Sequence, residues 1–155
     1  MRKAILLAVV VAACSRAETP ATDTAAAAAT PTPSAPAPLT PADIAGTWNG
    51  TTMAEGSDSV TNRWTVVRVT DSTSKLIFQG VRDSIPVSVR FDADSMIATS
   101  QAYTDPTMPR GSQPVTFRSV GRLKDGKLVG NVTVMLASKP DSVVGRSRWE
   151  ATKAP

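Results

Sequence analysis

The side chains that most often carry chemistry are few in this 155-residue chain. It has no histidine and one cysteine, Cys14, so it can form neither an intrachain disulfide nor a Cys/His metal cluster. Its 13 acidic residues are the remaining source of acid–base or cation-binding groups. Asp92-Ala93-Asp94 is the most suggestive grouping, but the glycine-turn pattern of an EF-hand loop is missing. Serine and threonine are abundant, yet none has an evident base beside it. There is no Gly-x-Ser-x-Gly elbow, and no Gly-x-x-x-x-Gly-Lys-Ser/Thr loop to cradle phosphates. The sequence therefore predicts no catalytic residue, no metal and no cofactor, and points away from an enzyme.

The chemistry that remains belongs to Cys14 and depends on its neighbours. Met1-Arg2-Lys3 is a short positive region, and residues 4–13 (AILLAVVVAA) form an apolar run. A spanning helix needs about 20 such residues, so the run fits the hydrophobic region of a secretory signal instead. It ends Val11-Ala12-Ala13-Cys14. This resembles the lipobox of bacterial lipoproteins, in which the cysteine becomes the mature N-terminus and is acylated. The resemblance implies a signal peptide over residues 1–13 and a membrane anchor at Cys14. Two or three acyl chains hold a protein at a membrane where one does so only marginally. Ser15 stands where an aspartate commonly marks retention at the inner membrane of Gram-negative cells. By the same resemblance, the expected address is the outer membrane, facing the periplasm.

Residues 14–41 then form a linker that is nearly all Ala, Thr, Pro and Ser. So few large apolar groups cannot offset the entropy of ordering, and the alternating prolines favour extended polyproline II. The expectation is a disordered tether that holds a domain of residues 42–155 off the bilayer. That domain carries 14 Lys/Arg and 11 Asp/Glu, spread over many runs. A mixed solvated surface is therefore expected rather than a nucleic-acid patch.

From Ala45 onward the pattern has period two. Strands are predicted at 45–53, 60–70, 75–81, 85–91, 96–103, 115–123, 127–136 and 143–152, with no helix. In the fourth, Ile85, Val87, Val89 and Phe91 share one face, and Pro86, Ser88 and Arg90 the other. Asp-Ser recurs at 58–59, 71–72, 83–84, 94–95 and 141–142, where both side chains suit turns. Asp125-Gly126 is the pair favoured in a type I′ hairpin. Short turns make neighbouring strands antiparallel. Eight of them fit an all-β, up-and-down barrel, with a flattened β-sandwich as the alternative.

Gly46-Thr47-Trp48 opens the first of these strands. It resembles the Gly-x-Trp signature of lipocalins and related calycin barrels, and Gly121–Gly130 is similar to hairpins of small bacterial lipocalin-like domains. The second lipocalin signature, Thr-Asp-Tyr, is absent, as is a helix after the last strand. The resemblance implies that Trp48 closes one end of a lipocalin-like barrel beneath a basic residue of the last strand, Arg146 or Arg148. Any site then lies at the other end. The long break 104–114 is a candidate lid, with Tyr103, Met108 and Arg110 as contacts. Trp64 and Phe117 are candidates for the cavity wall or for plain core, while Arg68 and Arg90 are expected to point outward. The function expected is an envelope lipoprotein whose barrel binds a small apolar or amphipathic ligand. The alternatives are a periplasmic module that binds an envelope protein, in the manner of small barrel inhibitors of metalloproteases, or a purely structural envelope protein.

Overall fold

The computed structural model describes residues 37–155. Cys14 and the linker up to residue 36 lie outside the described residues.

The eight strands are β1 (Thr47–Ala54), β2 (Val60–Thr70), β3 (Thr73–Phe78), β4 (Ser84–Asp92), β5 (Ser95–Ser100), β6 (Val115–Lys124), β7 (Lys127–Leu136) and β8 (Lys139–Lys153). Each pairs antiparallel with the next, and β8 returns to pair with β1, from Trp48 opposite Lys153 to Ala54 opposite Ser147. The sheet is thus a closed lipocalin-like barrel and not a flattened sandwich. Closure leaves no unpaired sheet edge.

Alternation sets which side chains fill it. Ile85, Val87 and Val89 of β4 are buried while Pro86, Ser88 and Arg90 between them are exposed. The core is this inward set from all the strands, with Trp48, Leu76, Phe78, Phe117, Leu128 and Trp149 among its largest members. At the β6–β7 hairpin, Asp125 (φ 51°) and Gly126 (φ 76°) both adopt the left-handed conformation that a type I′ turn requires.

One expected turn is not a turn. Asp141-Ser142 lies inside β8, which begins at Lys139 rather than Val143. Met135 pairs with Val143 and Leu136 with Lys139, so the intervening residues bulge from the ladder. A bulge absorbs extra residues on one strand without ending it, and the period-two pattern is lost across it.

The linker also ends sooner than its composition suggests. Leu39 is buried in the core at 7 % exposure, and its N–H donates to Ala93 O in the β4–β5 turn at 2.9 Å. The turn at 41–44 follows, closed by Thr40 N–H and Oγ1 donating to the Asp43 carboxylate at 2.8 and 2.7 Å. Those two bonds hold the Asp43 carboxyl below its ordinary value. Ile44 is buried as well. In a closed ring of eight, β1 and β5 stand opposite each other, so residues 39–46 cross the end of the barrel and floor it. Gly46 turns this strap into β1 with φ 94°, a conformation that side chains resist.

Candidate functional site

A cavity of ≈ 180 Å³ lies inside the barrel. Its size follows partly from where the tryptophans lie. A Cβ at Gly50 would come within 2.2 Å of the Trp64 ring, and Cβ atoms at Gly121 and Gly130 within 2.5 and 2.7 Å of Trp149. The missing side chains let both indoles lie against the wall, where they meet edge to face with centroids 5.9 Å apart. Their polar ends are satisfied. Trp64 Nε1 donates to Thr52 Oγ1 at 2.9 Å, and Trp149 Nε1 to Ser119 Oγ at 2.8 Å. Ser119 in turn donates to Asn131 O at 3.2 Å.

The lining changes along the barrel axis. At the end away from the strap it is polar, with Thr52, Thr61, Asn62, Asp105, Thr107 and Ser147. Midway it is apolar, built from Leu76, Phe78, Val87, Ala98, Phe117 and Val132. At the floor lie Ile44, Trp48 and Met96 with Arg68, the one cationic lining residue among the described residues.

The mouth is covered in part by residues 101–114, far longer than adjacent antiparallel strands need. Tyr103 and Val115 exchange backbone hydrogen bonds at 2.9 and 2.8 Å, which extends the β5–β6 ladder into this loop. The Tyr103 ring sits between Phe78 and Phe117, at centroid distances of 6.0 and 6.1 Å. Burial first, and then the neighbouring Asp105 carboxylate, push the Tyr103 hydroxyl up from its ordinary value. Beyond it the chain turns on Asp105, whose carboxylate accepts from Thr107 N–H and Oγ1 at 2.8 and 2.6 Å. Asp105 and Thr107 thereby reach the cavity.

The sequence candidates separate accordingly. Trp64, Tyr103 and Phe117 line the cavity together, whereas Met108 and Arg110 do not, although they sit in the same loop. Met108 is half-buried and Arg110 exposed. Trp48 is buried at the floor, with its Nε1 donating to Ile44 O at 3.1 Å.

The basic cover expected from Arg146 or Arg148 is not there. Trp48 pairs with Lys153, while Arg148 pairs with Met53 and Arg146 with Thr133. Five residues of strand put Arg148 about 17 Å further along β8. Even-numbered β8 positions also face outward there, opposite to Trp149 and Ala151. Arg148 instead pairs with Asp58 and donates to Ser57 O, which fastens the β1–β2 loop to β8.

Arg68 corrects a second expectation, because it points inward. Trp64, Val66 and Arg68 lie on one face of β2 and all line the cavity. The guanidinium stands over the Phe91 ring, 5.5 Å from its centroid, and Nη2 donates to Asp71 O. Desolvation depresses its pKa, and the Asp71 charge opposes that shift. Its Nε and Nη1 are buried with no hydrogen-bond partner. Strand parity from Trp64 carried this signal in the sequence, but the prior for an arginine in a strand favours the solvent face.

Among the described residues no group of three His, Cys, Asp or Glu side chains converges on a point that would hold a metal ion. Comparison of the chain with protein-family models, with curated proteins and with solved structures finds no match.

Proposed function

We propose that this chain is a cell-envelope lipoprotein, anchored through Cys14 in the outer membrane and facing the periplasm, whose barrel binds one small apolar or amphipathic molecule. The observation that carries the binding role is the ≈ 180 Å³ cavity, floored at one end and loop-covered at the other. An apolar cavity of about 150 Å³ can hold a molecule of benzene size, whereas pockets for drug-sized ligands start near ~300 Å³. The ligand is therefore compact, on the scale of a single ring or a short branched chain. The reading is of a binder and not an enzyme.

Native mass spectrometry of the purified full chain, followed by solvent extraction, tests the binding role. A released small organic molecule is expected, and Ala98→Leu, which narrows the cavity, should abolish its recovery without unfolding the barrel. Consistent recovery of an empty protein, with no uptake of small aromatic probes, rejects it. For the anchor, Cys14→Ser should move the protein out of the membrane fraction. Unchanged membrane recovery of that variant rejects lipidation. A protease-inhibitor-like arm would have to come from residues before Leu39, since Leu39 and Ile44 are buried in the floor.

A further inference from the structure

Most polar side-chain atoms inside the barrel are already spent. Ser119 Oγ takes the Trp149 indole N–H, Thr52 Oγ1 takes that of Trp64, and Ser100 Oγ accepts the Phe117 backbone N–H at 2.9 Å. Two others are sealed. Nε and Nη1 of Arg68 lack partners, but packing leaves them essentially no surface, so no ligand atom reaches them. Ser74 fits neither description. The residue is only 4 % exposed, and it lines the cavity. Its hydroxyl makes no hydrogen bond among the described residues, yet it is not one of the sealed atoms, which belong to Arg68 alone. The surface it keeps is therefore open to the cavity.

Ser74 lies on β3 one inward position below Leu76, paired with Arg68 of β2 and with Val87 of β4. A hydroxyl can donate once and accept twice, and burying it unmatched is costly. The neighbouring charge decides which of these capacities a ligand meets. Paired residues on one face of a sheet stand about 5 Å apart at Cβ. The Arg68 guanidinium cannot touch a ligand, but its charge acts through space and is screened little in a water-poor interior. It favours the negative end of a dipole beside Ser74 and disfavours an ammonium. A full anion would find one hydroxyl and no reachable guanidinium N–H, too little to offset its loss of water. What remains is a neutral oxygen.

We propose that Ser74 is the polar anchor of the cavity, and that the ligand is a compact neutral alcohol or ketone. Its oxygen accepts from Ser74 Oγ, and its apolar body lies among Leu76, Val87 and Ala98. This deepens the ligand-binding reading and rests on it.

The test is calorimetric titration of the full chain with benzyl alcohol and with ethylbenzene, probes of similar size and shape that differ by a hydroxyl in place of a methyl. Ser74→Ala should weaken benzyl alcohol on the order of 3- to 10-fold, the net worth of one hydrogen bond, and leave ethylbenzene bound at least as tightly. Ser74→Cys, with a weaker donor of similar shape, should lie between. Urea unfolding of the ligand-free chains supplies a second reading. Ser74→Ala should be no less stable than the unaltered chain, because its hydroxyl serves nothing within the barrel. A lower midpoint for that variant shows a structural hydroxyl and overturns the anchor. So does an unchanged ratio of the two affinities, which seats the oxygen elsewhere and leaves the binding cavity standing. Binding of neither probe to the unaltered chain overturns both.

Discussion

Gly50, Gly121 and Gly130 do their work by lacking a side chain where a ring must lie. Distances of 2.2 to 2.7 Å from the hypothetical Cβ to Trp64 or Trp149 are too short for any real contact. Alanine at Gly50 or Gly130 should therefore destabilise the barrel by about 1–3 kcal/mol, the usual cost of overpacking. Urea unfolding followed by tryptophan fluorescence would measure it, and Gly50→Ala with Trp64→Leu should recover part of the loss, since the two residues share one space. Ser119 is a second sensitive position. It accepts the Trp149 N–H in a buried site, so Ser119→Ala should cost about 1–3 kcal/mol by stranding that donor. The Arg148–Asp58 pair is the opposite case. Asp58 is 98 % exposed, so Asp58→Asn should leave the unfolding midpoint nearly unchanged.

At the scale of elements, the two ends of the barrel are closed by different means. The floor is the strap 39–46, held by backbone bonds from Leu39 N–H to Ala93 O and from Arg68 N–H to Gly46 O, by the Trp48 indole on Ile44 O, and by the buried side chains of Leu39 and Ile44. Leu39→Ala should cost about 2 kcal/mol, the low end for a buried leucine because the end of a barrel relaxes more easily than its middle. Hydrogen exchange should then rise first at the β4–β5 turn, where the strap is tied. The mouth loop is tied at its two ends, by Tyr103 to Val115 and by Ala137 N–H donating to Pro114 O at 2.9 Å, and its middle is where a ligand must pass. The β6–β7 hairpin separates conformation from packing. Nothing lies within 4 Å of a Cβ at Gly126, yet its φ is 76°. Gly126→Ala should thus lose about 1 kcal/mol through backbone strain alone, again read from urea unfolding.

For the whole molecule, pH reports on the mouth. The folded Tyr103 hydroxyl titrates above its ordinary value of 10.0 because it is buried and faces Asp105. Below pH 10 both folded and unfolded chains keep that proton, and stability is full. Above it the unfolded chain releases the proton first, so stability falls with rising pH until the folded group also titrates. Tyr103→Phe should flatten this alkaline loss, as measured by unfolding midpoints between about pH 9 and pH 11. Arg90, Arg118 and Arg146 stand on alternate strands around the outside, consistent with a solvated surface.

Local pattern was enough for the strands, because side chains alternate with period two wherever one face is buried. Val60–Thr70 and Lys127–Leu136 match the structure end to end, and the Asp125-Gly126 turn forms as its chemistry requires. The sequence offered Trp64 and Phe117 as cavity wall or core and Tyr103 as a contact of the mouth loop, without saying that they meet or how much room they leave. The lipid anchor proposed at Cys14 also rests on sequence alone. Period two breaks at a bulge, which hid the start of β8, and composition hid the structural role of Leu39 at the end of a proline-rich stretch. What only the tertiary structure decided was register across closure. It carries Arg146 and Arg148 away from Trp48 and brings Arg68 over Phe91. Those relations depend on how far each strand slides against its neighbour before the ring closes. That sliding is set by contacts between residues as distant in sequence as Trp48 and Lys153.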